Sequence, residues 1–284
     1  MPDYSVITCV SKPDVYQSCL LNSISQCRKH HSIEIIPILN EDGRYSASNA
    51  LNIGIDTAKS DILIFAHQDI KLLGQWFDKL CNIIAMLDAT WAILGAAGIS
   101  LDYGRSDIGK WGGAEYVSTV AVGSVWEDDS TLHEPPYWDG VKDPTLVHCV
   151  DECLFVLRKS TYLRFDIQFN GFHQYAADLS LQARSAGFQV YAADLPIIHY
   201  GKFSSSLQDS RYWEFLRFLH YKWSPFFPEL LGTHMHWSTT SKVADDGSTY
   251  DVPEITSYIP MYLESGEKVV EIRSASLGKV EFDV

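Results

Sequence analysis

A chain of 284 residues with 22 Lys+Arg against 36 Asp+Glu has a net charge of −14, and 46% of it is hydrophobic. That apolar share excludes disorder and collagen-like composition, and the length allows one large α/β domain with an appendage or two modest domains. Few cations are left to hold a phosphate backbone, so neither a nucleic-acid surface nor an anionic membrane face is expected, while a local anion site stays open.

The six cysteines (Cys9, Cys19, Cys27, Cys81, Cys149 and Cys153) follow no disulfide framework and read as reduced thiols. Cys149 and Cys153 stand as C-x3-C, the wrong spacing for a zinc knuckle. No basic-then-apolar leader opens the chain, and the apolar run Trp91 to Ile99 is far short of a bilayer span, so a cytoplasmic protein is expected.

Strand-length apolar runs alternate with helix-period segments, the pattern of βαβ units. Tyr4–Val10 reads as a buried strand, and Asp14 caps a helix reaching about Lys29. Ile33–Leu39 is a second strand, which Pro37 assigns to an edge or a strand end. A helix over Ser46–Ala58, a strand over Asp61–Ala66, a helix over Gly74–Leu87 and a strand over Trp91–Gly98 follow. Ser100 to Leu146 reads as a long irregular insertion, in which Trp111 and Trp138 offer faces for a sugar or anchors for the loop. Val147–Leu157 reads as one strand, Tyr175–Ala186 as a helix, Val190–Asp194 as a strand and Ser210–Tyr221 as a helix before a β-like tail.

In open parallel sheets the ligand lies beyond the carboxyl ends of the strands. Three such ends carry polar groups: Ser11, Asn40-Glu41-Asp42 and His67-Gln68-Asp69. The first two offer hydrogen bonds to the base and ribose of a nucleotide. The third sets an imidazole and a carboxylate on one side of an extended segment, and Asp69 suits a hard divalent cation carrying a diphosphate. A turn with a helix cap would account for the same triplet.

Three runs stand in order along residues 4–200: Ser48 to Ile55 continuing to His67-Gln68-Asp69-Ile70, Gly171 to Tyr191, and Pro196-Ile197-Ile198-His199. On these the chain resembles the metal-dependent glycosyltransferases of the GT-A fold, in the family-2 group. It is most similar to the bacterial branch in which Asp-x-Asp becomes His-Gln-Asp. The resemblance implies a Rossmann-like, mostly parallel sheet flanked by helices over residues 1–203. Residues 204–284 would form a helical and β extension on the acceptor side or for self-association.

The implied activity is hexosyl or glycosyl transfer, with inversion, from a nucleotide-sugar donor, a UDP-sugar first. The acceptor would be a hydroxyl of a saccharide or lipid-linked molecule, and Mn²⁺ or Mg²⁺ would assist. Carried over residue by residue, Asp69 binds the metal with His67 beside it, and His199 completes the shell. Asp178 becomes the base that takes the acceptor proton. Donor contacts fall to Ser11, Asn40, Asn49, Asn52 and Gln68. Asp151 and Glu152, charges inside an apolar run, are assigned to the donor sugar or the acceptor.

Two departures stand out. His67 replaces the first acid, making the donor set softer, and Ala177 stands where an acid often precedes the base.

Each assignment has a plainer counterpart: Asp178 as a carboxylate at a helix N-terminus, His199 as a structural histidine. A binding module of the same fold, retaining nucleotide recognition without turnover, is the alternative function. An oxidoreductase or hydrolase lacks its G-x-G-x-x-G or G-x-S-x-G turn. Gly104 to Lys110 nearly fits a phosphate loop, but Trp111 takes the place of its Ser/Thr. His234 and His236 set two imidazoles on one side of a strand, which would suit a transition metal but reads rather as a solvent-facing or lid segment.

Overall fold

The computed structural model describes residues 1–101, 110–111, 114–115, 119–129, 132–133, 136, 138–201, 210–223, 229–231, 235–243 and 249–258. The near-phosphate-loop run 104–109, the side chains of Trp111, Trp138, Trp213, Trp237, His234 and His236, and residues 259–284 lie outside the described residues. Two compact units divide the chain: Met1–Ser100 with Val120–Lys202, and Leu101–Thr119 with Phe203–Val284.

The first unit opens with β1 (Tyr4–Val10), followed by helical segment α1, in which Pro13–Tyr16 and Asn22–Cys27 are joined by a π turn at Gln17–Leu21. Then come β2 (Ile33–Leu39), α2 (Ala47–Thr57), β3 (Ile62–Ala66), β4 (Ile70–Leu72) and α3 (Trp76–Met86). β5 (Trp91–Gly95) and β6 (Ala97–Leu101) follow. In the second unit Lys110–Trp111 (β7) pairs with Ala114–Glu115 (β8). The chain returns through β9 (Thr119–Trp126), β10 (Trp138–Asp139), β11 (Thr145–Leu146), β12 (Cys149–Val150) and β13 (Leu154–Arg158). α4 (Tyr175–Ser185), β14 (Gln189–Ala192) and β15 (Ile197–His199) complete the first unit. The second unit continues with α5 (Ser210–Trp223) and an antiparallel meander of β16 (Glu229–Leu231), β17 (Met235–Val243) and β18 (Thr249–Tyr258).

The main sheet has the order β11-β14-β5-β13-β3-β1-β2. β2, β1 and β3 run parallel, and so do β5 and β14, while β13 enters antiparallel between β3 and β5. The sheet is therefore mixed, with most strands sharing one direction. β1 is buried almost throughout, as its unbroken apolar run requires. β2 lies at the edge, where Pro37 gives up a ladder donor at little cost.

α2 starts where Ser46 Oγ accepts from the Asn49 backbone N–H, the N-cap arrangement. It sits so tightly on β1 that a side chain at Gly54 would run into Ile7, itself fully buried. Phe65 stacks on Phe155 at 5.1 Å between ring centroids, and Phe165 meets Phe65 edge-on at 5.1 Å and Tyr175 at 5.9 Å. This aromatic line runs from the core to the foot of α4. Among the described residues no helix is long and apolar enough to cross a membrane.

Four sequence expectations are corrected. Asp14 does not cap the first helix: Lys12 holds the N-cap position, and Asp14 lies within the first turn behind Pro13. The single strand expected over Trp91–Gly98 divides at Ala96, with β5 in the main sheet and β6 in a second sheet of order β12-β6-β9-β15-β4. Val147–Leu157 likewise divides: Asp151 Oδ1 accepts from the Cys153 N–H at 2.9 Å, and the chain turns between β12 and β13. Apolar content alone does not reveal a change of sheet. Part of the segment read as irregular is β9, whose pattern is broken by Gly123 at φ +103°.

Candidate active site

β3 ends at Ala66, and the chain passes through His67-Gln68-Asp69 into β4. β15 pairs antiparallel with β4, placing His199 opposite Ile70, and the Tyr200 N–H donates to the Asp69 carbonyl at 3.1 Å. That short ladder brings His199 beside His67 and Asp69, 132 and 130 positions earlier. His67 Nδ1 lies 3.4 Å from His199 Nε2, which lies 3.7 Å from Asp69 Oδ1. The three donor atoms fall within 4.8 Å of one another.

On the other side, β13 pairs with β3, and the His67 N–H donates to the Cys153 carbonyl at 2.9 Å, which draws Glu152 to the same strand end. Tyr175 Oη donates to the Glu152 carbonyl at 3.3 Å and lies 2.9 Å from His67 Nε2. A carbonyl only accepts, so with the tyrosine proton placed on it the tyrosine oxygen accepts from the His67 Nε2–H. The Nδ1 lone pair is then left facing His199 and Asp69, the tautomer a metal ligand needs. Burial, followed by the neighbouring His199, holds the His67 imidazole below its ordinary pKa, which favours the neutral form.

Gly201 closes the group. A Cβ there would come 2.6 Å from His199 Nε2 and 3.1 Å from Asp69 Oδ2, so the space beside the donors depends on glycine. Two imidazoles and one carboxylate, with a cradle free of side chain, fit a divalent cation of the borderline kind. A second group of such donors, His30, His31 and Asp78, is knitted together by Lys29 Nζ at 2.8 Å and His31 Nε2 at 2.9 Å from the Asp78 carboxylate.

A cleft of about 180 Å³ opens beside the first group. Ser11, His67, Gln68, Asp69, Glu152 and Tyr175 supply its polar lining, and Cys9, Ala47, Leu51, Phe65, Ala66 and Phe172 the remainder. Gln68 bridges two strand ends: its Oε1 accepts from the Ser11 and Lys12 N–H groups at 3.0 and 2.8 Å, and its Nε2 donates to Ser11 Oγ. Burial raises the Glu152 carboxyl above its ordinary pKa, although His173, with Nδ1 3.8 Å from Oε1, pulls the other way.

Against this geometry, the family described as "Glycosyltransferase like family" matches residues 5–216, about three-quarters of the chain. The chain belongs to that family. This glycosyltransferase-like chain is 27% identical over 199 residues to "ATP synthase subunits region ORF 6" of Fuscovulum blasticum, covering 68% of this chain and 70% of that protein.

Among solved structures it is similar to GalNAc-T7 with UDP, GalNAc and Mn²⁺ (TM-score 0.51, 11% identity, 78% of this chain and 48% of that one). A mannosyltransferase, PcManGT from Pyrobaculum calidifontis, in complex with GDP-Man and Mn²⁺, gives a TM-score of 0.49 at 11% identity, with 78% and 64% coverage. The family member thus spans about half the length of the first solved relative. The GT-A fold implied by the resemblance is the fold of the chain.

The structure brings Ser11, His67, Gln68, Asp69, Glu152 and His199 of the glycosyltransferase-like chain to one strand-end region. Other expected residues are engaged elsewhere. Asn40 is buried and exchanges two hydrogen bonds with the Tyr45 backbone, each at 2.9 Å. Asn52 does the same with the Phe165 backbone, and Asn49 Nδ2 donates to Ser46 Oγ. Asp151 holds the turn described above.

Asp178 lies in the first turn of α4 with 0% exposure, and its Oδ2 accepts from Gln182 Nε2 at 2.7 Å. It is not among the described residues that line the cleft. Sequence reasoning missed Tyr175, Phe172 and Gly201. Tyr175 and Phe172 fall inside the run Gly171 to Tyr191, and Gly201 follows His199 by two residues, so position relative to those motifs is the available signal.

Proposed function

We propose that this family member transfers a sugar from a nucleoside diphosphate donor, a UDP-sugar first, to the hydroxyl of a saccharide or lipid-linked acceptor, with inversion. The observation that carries this reading is the convergence of His67 Nδ1, Asp69 and His199 Nε2 beside the side-chain-free face of Gly201, at the mouth of a cleft at the strand ends.

Those three residues would hold Mn²⁺ or Mg²⁺, which when bound offsets the negative charge gathering on the departing diphosphate. Tyr175 Oη, 2.9 Å from His67 Nε2, orients the imidazole. Gln68 ties the ends of β1 and β3 together so that Ser11 keeps its place on the cleft wall. Phe172, 45% exposed on the cleft lining, offers a flat face to a base or sugar ring. Direct attack by the acceptor oxygen on the anomeric carbon inverts its configuration.

The test is release of free nucleotide from a panel of UDP-, GDP- and dTDP-sugars with Mn²⁺ or Mg²⁺. Asp69→Asn is expected to lower turnover by about 10²–10³-fold, the scale for losing one charge-stabilising group. Nucleotide binding without release from any donor would favour the binding-module reading instead.

A further inference from the structure

We infer that Glu152, rather than Asp178, is the base that receives the acceptor proton. This rests on the transfer reading above. A base must reach the attacking hydroxyl within the cleft, at about 2.6–3.2 Å or through one water. Five titratable side chains appear among the described residues lining it: Cys9, His67, Asp69, Glu152 and Tyr175.

His67 and Asp69 belong to the cation group. Tyr175 Oη is held between the Glu152 carbonyl at 3.3 Å and His67 Nε2 at 2.9 Å. Cys9 sits on the buried β1, where its thiol keeps its proton. Glu152 remains.

Its placement suits the task. The turn between β12 and β13 projects it from the strand end beside His67, and its own backbone carbonyl anchors Tyr175. The same tyrosine therefore fixes Glu152 and the cation ligand relative to each other. His173 Nδ1 lies 3.8 Å from Oε1, so an imidazole stands beside the carboxylate.

Asp178 lacks these properties. It is fully enclosed, one oxygen receives Gln182, and it lies in the first helical turn, where a carboxylate is favoured by the exposed N–H groups.

The step balances without any further reactant. The acceptor oxygen forms its bond to the anomeric carbon as the bond from that carbon to the diphosphate oxygen breaks. The bonding pair leaves with the nucleoside diphosphate, and the hydroxyl proton moves to a Glu152 carboxylate oxygen.

The experiment uses the full chain, with Mn²⁺ and whichever nucleotide sugar the wild type turns over. Glu152→Gln is expected to lower kcat by about 10²–10⁴-fold while the dissociation constant for the nucleotide changes by less than about threefold. Glu152→Asp should recover part of the rate, and Asp178→Asn, checked for folding by circular dichroism, should keep kcat within about tenfold.

A Glu152→Gln enzyme with wild-type kcat overturns the assignment, as does loss of nucleotide binding in that variant, which would make Glu152 a donor ligand. A folded Asp178→Asn enzyme with intact binding and a kcat lowered about 10²-fold or more would return the role to Asp178. A wild type that turns over no donor refutes the transfer reading itself and the base with it, a result distinct from an active wild type matched by Glu152→Gln.

Discussion

Gly201 matters for what it lacks. Replacing it with Ala would thrust a methyl group to within 2.6 Å of His199 Nε2, forcing that ring away from Asp69. Gly201→Ala is expected to weaken Mn²⁺ binding about 10–100-fold, the range seen when the support of a ligand is disturbed, with the melting temperature nearly unchanged. Isothermal titration with Mn²⁺ alone, next to a thermal melt, measures both; unaltered affinity would remove His199 from the cation group.

At this scale the sequence was legible in one respect and opaque in another. His67, Gln68 and Asp69 were found because polar residues follow an apolar strand, and that arrangement is written along the chain. Asn40 and Asn52 have the same outward character, yet each meets a backbone amide pair. For Asn52 that pair lies at residue 165, and nothing in a local pattern announces such a bond. Tyr175 escaped for the same reason: its hydroxyl acts on His67, 108 positions away.

Among the elements, the contact between α2 and β1 gives the sharpest expectation. Glycine within a helix ordinarily costs about 1 kcal/mol relative to alanine, so Gly54→Ala should stabilise an isolated helix. Here the new methyl group would meet Ile7, and overpacking of this kind costs about 1–3 kcal/mol. The variant is expected to unfold at lower urea concentration than wild type, as followed by circular dichroism. A higher midpoint would mean that α2 can slide off β1 without penalty.

Helices were readable from periodicity, and the edge strand from Pro37. The divisions at Ala96 and at Asp151–Cys153 were not, because a strand that leaves one sheet for another keeps its apolar character on both sides of the break. The charges at 151 and 152 were the local hint, and they mark the turn that delivers Glu152 to the cleft.

At the scale of the whole molecule, several carboxylates among the described residues accept more than one hydrogen bond. Asp194 accepts from Ser124 Oγ at 2.5 Å and pairs with Lys79, joining α3, β9 and the end of β14. Burial alone would raise its pKa, but the bonds from Lys79 and Ser124 outweigh that and bring it below the ordinary carboxylate value.

The folded state thus favours the ionised form. Its contribution is complete above the unfolded pKa of about 4 and is lost as pH falls through the lower folded value. The difference in melting temperature between wild type and Asp194→Asn should accordingly be large at pH 7 and shrink below about pH 4. A difference that stays constant with pH would show that the amide loses packing rather than charge.

The pairing of β4 with β15 also sets an order of events during synthesis. His67 and Asp69 leave the ribosome early, but the strand that flanks them and the third donor arrive together, only once residue 199 has emerged. A nascent chain has no complete cation group for most of its growth and then acquires it in one step. On the proposed reading, a bound cation would report that β15 has docked against β4, not merely that the opening half of the unit has folded.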